Sequence, residues 1–171
     1  PPTAPLPPRL GLGRDRGRRP WSLYLNLQAT HFPYTISKKA PRPFQPDEPS
    51  KATFGYLGYP EAEKETVINR YDNAMVHIDQ QVERVRAHLE QTGELDNTLW
   101  VITSDHGEMF HDKGQVTHGK TLYEVEARVP LLLYWPGHIQ PEQRDEPVSH
   151  LDVLPTVADL LGLPAHPSWQ G

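Results

Sequence analysis

Residues 98–120 read TLWVITSDHGEMFHDKGQVTHGK: an apolar, β-rich run that passes without a spacer into Ser104, Asp105, His106 and Gly107. Apolarity on both alternating sets is the pattern of a strand covered on both faces, so the chain is constrained to a sheet with layers packed against it. In such sheets ligands gather beyond the carboxyl ends of the strands. The Asp105 carboxylate and the His106 imidazole are therefore expected at one point on that edge, with a Gly-bracketed loop carrying His118 and Lys120 close behind.

The elements around this strand give its context. Residues 21–27 (WSLYLNL) read as a buried strand that leaves His31 at its carboxyl end. Residues 35–60 hold Pro41, Pro43, Pro46, Pro49 and Pro60 among charges and glycines, a composition that breaks ladders and helices and predicts a long surface excursion. From Glu61 onward, Tyr71, Met75, Ile78, Val82, Val85 and Leu89 alternate at spacings of four and three. They predict one face of a long amphipathic helix, with Glu61, Glu63 and Glu65 at its positive end and Gly93 as its stop. Asp96-Asn97 turns into the strand at 98–103, and residues 129–135 (VPLLLYW) form another, closed by Pro136-Gly137. Residues 149–161 read as a short helix capped by Ser149 and Asp152, with Pro155 tolerated in its first turn, Val153, Leu154, Val157, Leu160 and Leu161 on its apolar face, and Gly162 at its end. This order predicts an α/β/α sandwich on a largely parallel sheet.

The chain's 171 residues suffice for one domain with a core. Eleven of its 19 prolines fall in the first 49 residues, and residues 1–20 carry a net charge of +4 against −5 for the whole chain. That stretch reads as a Pro/Arg-rich disordered lead before a domain at 21–171. It lacks the interleaved aromatics that stack on bases, so nucleic-acid binding is not expected. No apolar run approaches the length of a membrane span. With no cysteine, disulfides and thiolate metal sites are excluded.

His31, Asp105 and His106 each follow a predicted strand and can approach one edge. A carboxylate oxygen beside an imidazole nitrogen is acceptable to Mg²⁺ or Mn²⁺, better for Zn²⁺ and less usual for Ca²⁺. Gly107 is expected to let the backbone turn sharply so that both neighbours face one cavity. The Lys120 charge suits a non-bridging oxygen of a tetrahedral anion, with His118 or His31 donating to another oxygen or to the departing one. Glu108 can orient a ligand from behind or lie exposed on the loop. His111, Asp112 and Lys113 are weaker candidates, and His77, His88, His138, His150 and His166 read as structural or solvent-facing.

Five segments, YLNLQATHFPY (24–34), DNTLWVITSDHGE (96–108), THGKTLYE (117–124), RVPLLLYWPGHI (128–139) and VSHLDVLPTVADLLGLP (148–164), resemble the sulfatase branch of the alkaline-phosphatase-like superfamily, in that order. The resemblance implies a metal-dependent sulfuric ester hydrolase built on an α/β/α sandwich with its metal at the carboxyl edge of the sheet. By it, Asp105 and His106 would ligate the metal, His106 standing where many arylsulfatases have Asn. Lys120 would touch the sulfate or phosphate oxygens, and His31 would bind an oxygen or act as the acid for the leaving group. His118 falls at a position that varies between branches. The implied cofactor is one divalent cation, Ca²⁺ by resemblance, with Mg²⁺, Mn²⁺ and Zn²⁺ as alternatives. The implied partner is a small-molecule or glycan sulfate ester.

The family's paired Asp-Asp and its nucleophile in a Cys/Ser-x-Pro-x-Arg motif have no counterpart in these residues. The chain is thus expected to be the latter part of a longer catalytic domain and inactive alone, from a parent that can be periplasmic or otherwise exported. Two other readings stand beside it: a phosphoester hydrolase or phosphoethanolamine-type transferase of the same superfamily, and a non-catalytic binding or structural module.

Overall fold

The computed structural model describes residues 20–171. The Pro/Arg-rich lead expected at 1–20 lies outside them except for Pro20. Residues through Ile139 make one compact unit and Gln140–Gly171 a second.

The first unit is organised by the long helix α1 (Lys64–Thr92), entered through a 3-10 turn at Glu61–Glu63. Its end is dictated by Gly93, whose left-handed backbone (φ 70°) lets its N–H reach the Glu90 carbonyl while the Glu94 N–H reaches Leu89. This paired closure satisfies carbonyls the helix leaves orphaned. Val85 and Leu89 are buried, and Tyr71 and Ile78 pack on the core, as the periodicity predicts. Met75 does not: it is 46 % exposed, while Asn73 and Ala74 are sealed. The amino-terminal half of the buried face runs instead through Val67, Tyr71, Ala74 and Ile78, because the Pro-rich segment crosses the helix there.

That segment runs mostly over the surface, as its composition predicts, but it is pinned to the core at Ile36, Asp47 and Tyr59. Tyr34, Ile36 and Tyr59 are buried with Ala29, Val67, Ala74 and Val116, and Phe32, Phe54 and Phe110 close around them. Several of the aromatic rings meet edge to face, as Tyr34 does on Tyr71 at 5.4 Å and Tyr71 on Phe110 at 5.2 Å, an arrangement favoured by ring quadrupoles. Proline forbids a ladder here, but it does not forbid burial. The backbone is instead held by side chains: Asn73 accepts from the Phe44 N–H at 3.1 Å and donates to the Phe44 carbonyl and the Asp47 carboxylate, both at 2.9 Å.

Strand β1 (Trp100–Thr103) pairs antiparallel with β4 (Leu131–Tyr134), Trp100 opposite Tyr134 and Thr103 opposite Leu131. Strands β2 (Met109–Asp112) and β3 (Gln115–Thr117) form a separate hairpin, and no parallel pair occurs among the described residues. The expected largely parallel sheet is not seen, because residues 21–27 enter no ladder and are almost all exposed. For the same reason β1 is not covered on both faces, and Val101 and Ile102 are partly open to solvent.

The hairpin replaces what reads in sequence as a loop. Lys113 (φ 51°) and Gly114 (φ 73°) both take positive φ at its tip, the requirement of a two-residue turn matched to strand twist. His111 (φ 62°) sits where the register slips between Phe110 and Asp112, as a bulge demands.

In the second unit, helix α3 (His150–Leu160) starts at Ser149, whose side chain accepts from the Leu151 N–H while Asp152 accepts from the Ser149 N–H. The two residues read from sequence as caps thus form a reciprocal capping box. Pro155 lies inside this helix rather than in its first turn. Ala158 is its buried residue, whereas Leu154 and Leu161 remain exposed.

Candidate functional site

Beyond β1 the chain presents Asp105 and His106 side by side. The Asp105 side chain is 87 % exposed, with its Oδ2 3.7 Å from His106 Nε2. His106 Nδ1 lies 2.8 Å from the Gly107 carbonyl. A carbonyl oxygen can only accept, so Nδ1 carries the proton and Nε2 offers its lone pair on the side where the carboxylate stands. Two donors 3.7 Å apart can share an ion at bond lengths of about 2.0–2.6 Å. The pair therefore fits half of a divalent-metal shell. No cluster of three or more potential ligands forms among the described residues.

Gly107 does not act as a left-handed turn: it is not among the residues with positive φ. It is needed because two backbones meet there. A Cβ on Gly107 would lie 2.0 Å from the Val125 carbonyl oxygen, and its N–H donates to the Glu126 carbonyl at 2.7 Å. Only glycine lets the strand end touch the segment around the short helix α2 (Glu124–Ala127).

The His118 ring lies almost parallel to His106, centroids 3.9 Å apart and planes 30° apart. His31 approaches the same ring at 5.9 Å. Three of the predicted groups, His31, His106 and His118, thus meet around His118, with the long helix α1 between the first and the other two in sequence. Its Nδ1 stands 3.3 Å from both oxygens of Glu108, whose side chain is only 6 % exposed. Of the two sequence alternatives for Glu108, the supporting role is the one its burial matches. Burial raises the Glu108 carboxyl above its ordinary range, opposed by charge and hydrogen bonding from His118 and by Tyr34 and His106. The Tyr34 hydroxyl is buried close to Glu108 but makes no hydrogen bond of ordinary geometry. Burial, then the charge of Glu108, pushes the Tyr34, Tyr59 and Tyr71 phenols up, so all three stay protonated.

His31 resembles His106 in one respect, its Nδ1 lying 2.8 Å from the Phe32 carbonyl so that Nε2 faces outward. Lys120 donates from Nζ to the Val116 carbonyl at 3.1 Å, which leaves donor capacity on the ammonium. Thr117, beside His118, is fully buried with φ 63°, a strained conformation for a β-branched residue. His111 packs against Tyr59 at 4.8 Å and His138 stacks on Trp135 at 4.1 Å, both remote in role from the imidazole cluster.

The residue that sequence reasoning missed is Glu126. Its shallowly buried carboxylate accepts from the Thr121 hydroxyl and from the backbone N–H groups of Gly119, Lys120 and Thr121, and so shapes the loop that carries Lys120. An acid in a four-residue helix gives no pattern by which to find it. The Thr121 hydroxyl first, then those N–H groups, hold Glu126 below the usual carboxylate range against the cost of desolvation. A depressed folded value means stability that is present above the unfolded pKa of about 4.3 and lost as pH falls through the folded one. Glu126→Gln should therefore lower the melting temperature at pH 7, with the gap to wild type closing below about pH 4.3 in calorimetry. A gap independent of pH would show that the charge plays no part.

Comparison with known proteins places this geometry in context. The family model described as Sulfatase matches residues 10–163. The chain is 31 % identical over 170 residues to a choline-sulfatase of Rhizobium meliloti (strain 1021), covering 87 % of the chain and 33 % of the relative. It is 30 % identical over 157 residues to arylsulfatase A of Homo sapiens, covering 88 % and 27 %. Among solved structures, a protein in complex with its substrate D-glucosamine-2-N,6-O-disulfate matches with a TM-score of 0.58 and 29 % identity, covering 64 % of this chain and 22 % of that one. A sulfatase-like structure from Bacteroides thetaiotaomicron matches at 0.57 and 28 %, covering 67 % and 25 %. The chain spans a third or less of the length of these relatives.

Proposed function

The chain belongs to the sulfatase family, and from that premise we propose that it supplies the metal-binding and anion-binding half of a site that hydrolyses sulfuric esters. The observation that carries this reading is the pairing of Asp105 Oδ2 with an outward-facing His106 Nε2 at 3.7 Å. These two side chains would hold one divalent cation. When bound, the cation supplies Lewis-acid polarisation of the ester and charge neutralisation at the reacting centre.

The chain's own residues do the rest. The Lys120 ammonium neutralises a non-bridging ester oxygen, an interaction that strengthens as charge builds in the transition state. His118 has its Nδ1 fixed by Glu108, leaving Nε2 as its second nitrogen, and His31 has its Nδ1 fixed by the Phe32 carbonyl. Either can hold the proton that the departing alkoxide needs. The organic part of the substrate follows from relatives only by analogy, among them one bound to a sulfated glucosamine. The finer fold reading, a parallel sandwich completed beyond these residues, belongs to the same proposal.

The test is sulfate release from 4-nitrophenyl sulfate by the full-length protein, against phosphate release from 4-nitrophenyl phosphate. Sulfate release that stops with a chelator and returns with Ca²⁺, Mg²⁺, Mn²⁺ or Zn²⁺ is the expected result. A preference for the phosphate ester would replace the sulfatase reading with its phosphoryl-transfer relative, and activity unaffected by chelation would remove the metal.

A further inference from the structure

The imidazole cluster has a wall that the reaction does not explain. Residues Gly55 and Gly58 exchange two backbone hydrogen bonds, each of 3.1 Å, closing a tight turn with Tyr56 and Leu57 at its tip. The turn is anchored on both sides: Tyr59 is buried in the core, and Phe54 packs on it at 6.0 Å and on Phe32 at 4.8 Å. Tyr56 itself stands nearly perpendicular to the Phe32 ring at 5.6 Å and to the His118 ring at 5.9 Å. It remains 43 % exposed, and Leu57 beside it 88 %.

A single exposed tyrosine is ordinary. Here, however, the ring is braced by the residue after His31 and by His118 itself, so its place is set relative to the two groups that face the ester. An ester oxygen within hydrogen-bonding reach of His118, about 3 Å, brings the adjoining carbon skeleton against Tyr56. A phenol ring presents a flat apolar surface at low entropic cost. We propose that Tyr56 is a specificity-determining residue and that the alcohol half of the substrate is a six-membered ring, stacked by its apolar face on Tyr56. This rests on the ester-hydrolase reading above.

Such a ring is an arene or a sugar, and three substrates separate the cases: 4-nitrophenyl sulfate, glucosamine 6-O-sulfate and the acyclic choline sulfate. With the full-length protein, Tyr56→Ala should raise KM about tenfold for the ring ester that the site is built for, leaving kcat within about twofold. Choline sulfate turnover should not change, and Tyr56→Phe should behave as wild type on all three. The ring ester that suffers identifies the source of the ring. Equal losses on cyclic and acyclic esters would show that Tyr56 merely props His118 and would overturn the proposal, as would no loss on either ring ester or wild-type turnover of choline sulfate alone. Failure of the wild type to cleave any sulfate ester would instead remove the hydrolase reading and this assignment with it.

Discussion

Asp105→Ala should reduce sulfate-ester hydrolysis by about a thousandfold or more while leaving the melting temperature where it was. The catalytic half of this expectation follows from the proposed role of Asp105 as a metal carboxylate, an interaction worth several kcal/mol at the transition state, where each 1.36 kcal/mol is about a factor of ten. The structural half follows from exposure. The Asp105 side chain is 87 % open to solvent, and its polar contacts are the neighbouring Ser104 hydroxyl, the His106 N–H and the His106 ring. Nothing packs on it that truncation would disturb. Metal titration by calorimetry on the full-length protein completes the test, with affinity expected to fall in step with activity. Wild-type turnover in this variant would dismiss the role assigned to the strand end, and a large drop in melting temperature would recast Asp105 as structural.

Asp47→Ala is expected to do the opposite: a loss of about 3 kcal/mol in stability with little effect on kcat well below the melting point. Asp47 is almost sealed from solvent, and its Oδ2 receives the Arg42 guanidinium at 2.6 Å and the Asn73 amide at 2.9 Å. Truncating it leaves one N–H of a fully buried amide, whose other acceptor is the Phe44 carbonyl, and a partly buried cation without their shared acceptor. Breaking a buried pair from one side costs about 3–5 kcal/mol, and the 25 % exposure of the Arg42 side chain places the effect at the lower end. For a chain of this size that is roughly 6–12 °C in melting temperature. Asp47→Asn, which keeps an acceptor for both partners, should recover much of the loss. Equal melting temperatures for wild type and Asp47→Ala would mean that the Pro-rich segment is held by its aromatic residues alone.

How far the sequence could be read depended on whether its signals were periodic. Helix α1 and its Gly93 stop were legible because an amphipathic repeat and a glycine terminator are local facts. The Ser149-Asp152 cap was legible for the same reason. The candidate site was half legible: Asp105, His106, His118 and Lys120 stand out by chemistry and spacing, and His31 by its place after an apolar run. Their grouping was not, since the contact between His31 and His118 is made through an aromatic core that no periodicity announces. The Pro-rich segment was read correctly as mostly exposed, but its anchors Ile36, Asp47 and Tyr59 were not legible, because burial at single positions follows no periodicity. The β2–β3 hairpin hid because its turn is Lys113-Gly114 rather than a stronger turn pair, and its bulge falls on a histidine. Glu126 and Asn73 were invisible because a buried polar side chain is specified by partners distant in the chain, not by its neighbours.

Glu126 fastens two things at once: its main-chain oxygen takes the N–H of Gly107, and its side chain gathers the amides leading to Lys120. The Asp105-His106 tip and the loop carrying Lys120 consequently cannot drift apart without breaking the same residue's bonds. Their spacing is fixed in advance of any ligand, so occupancy should tighten this region rather than assemble it, and little of the free energy of association need go into rearrangement.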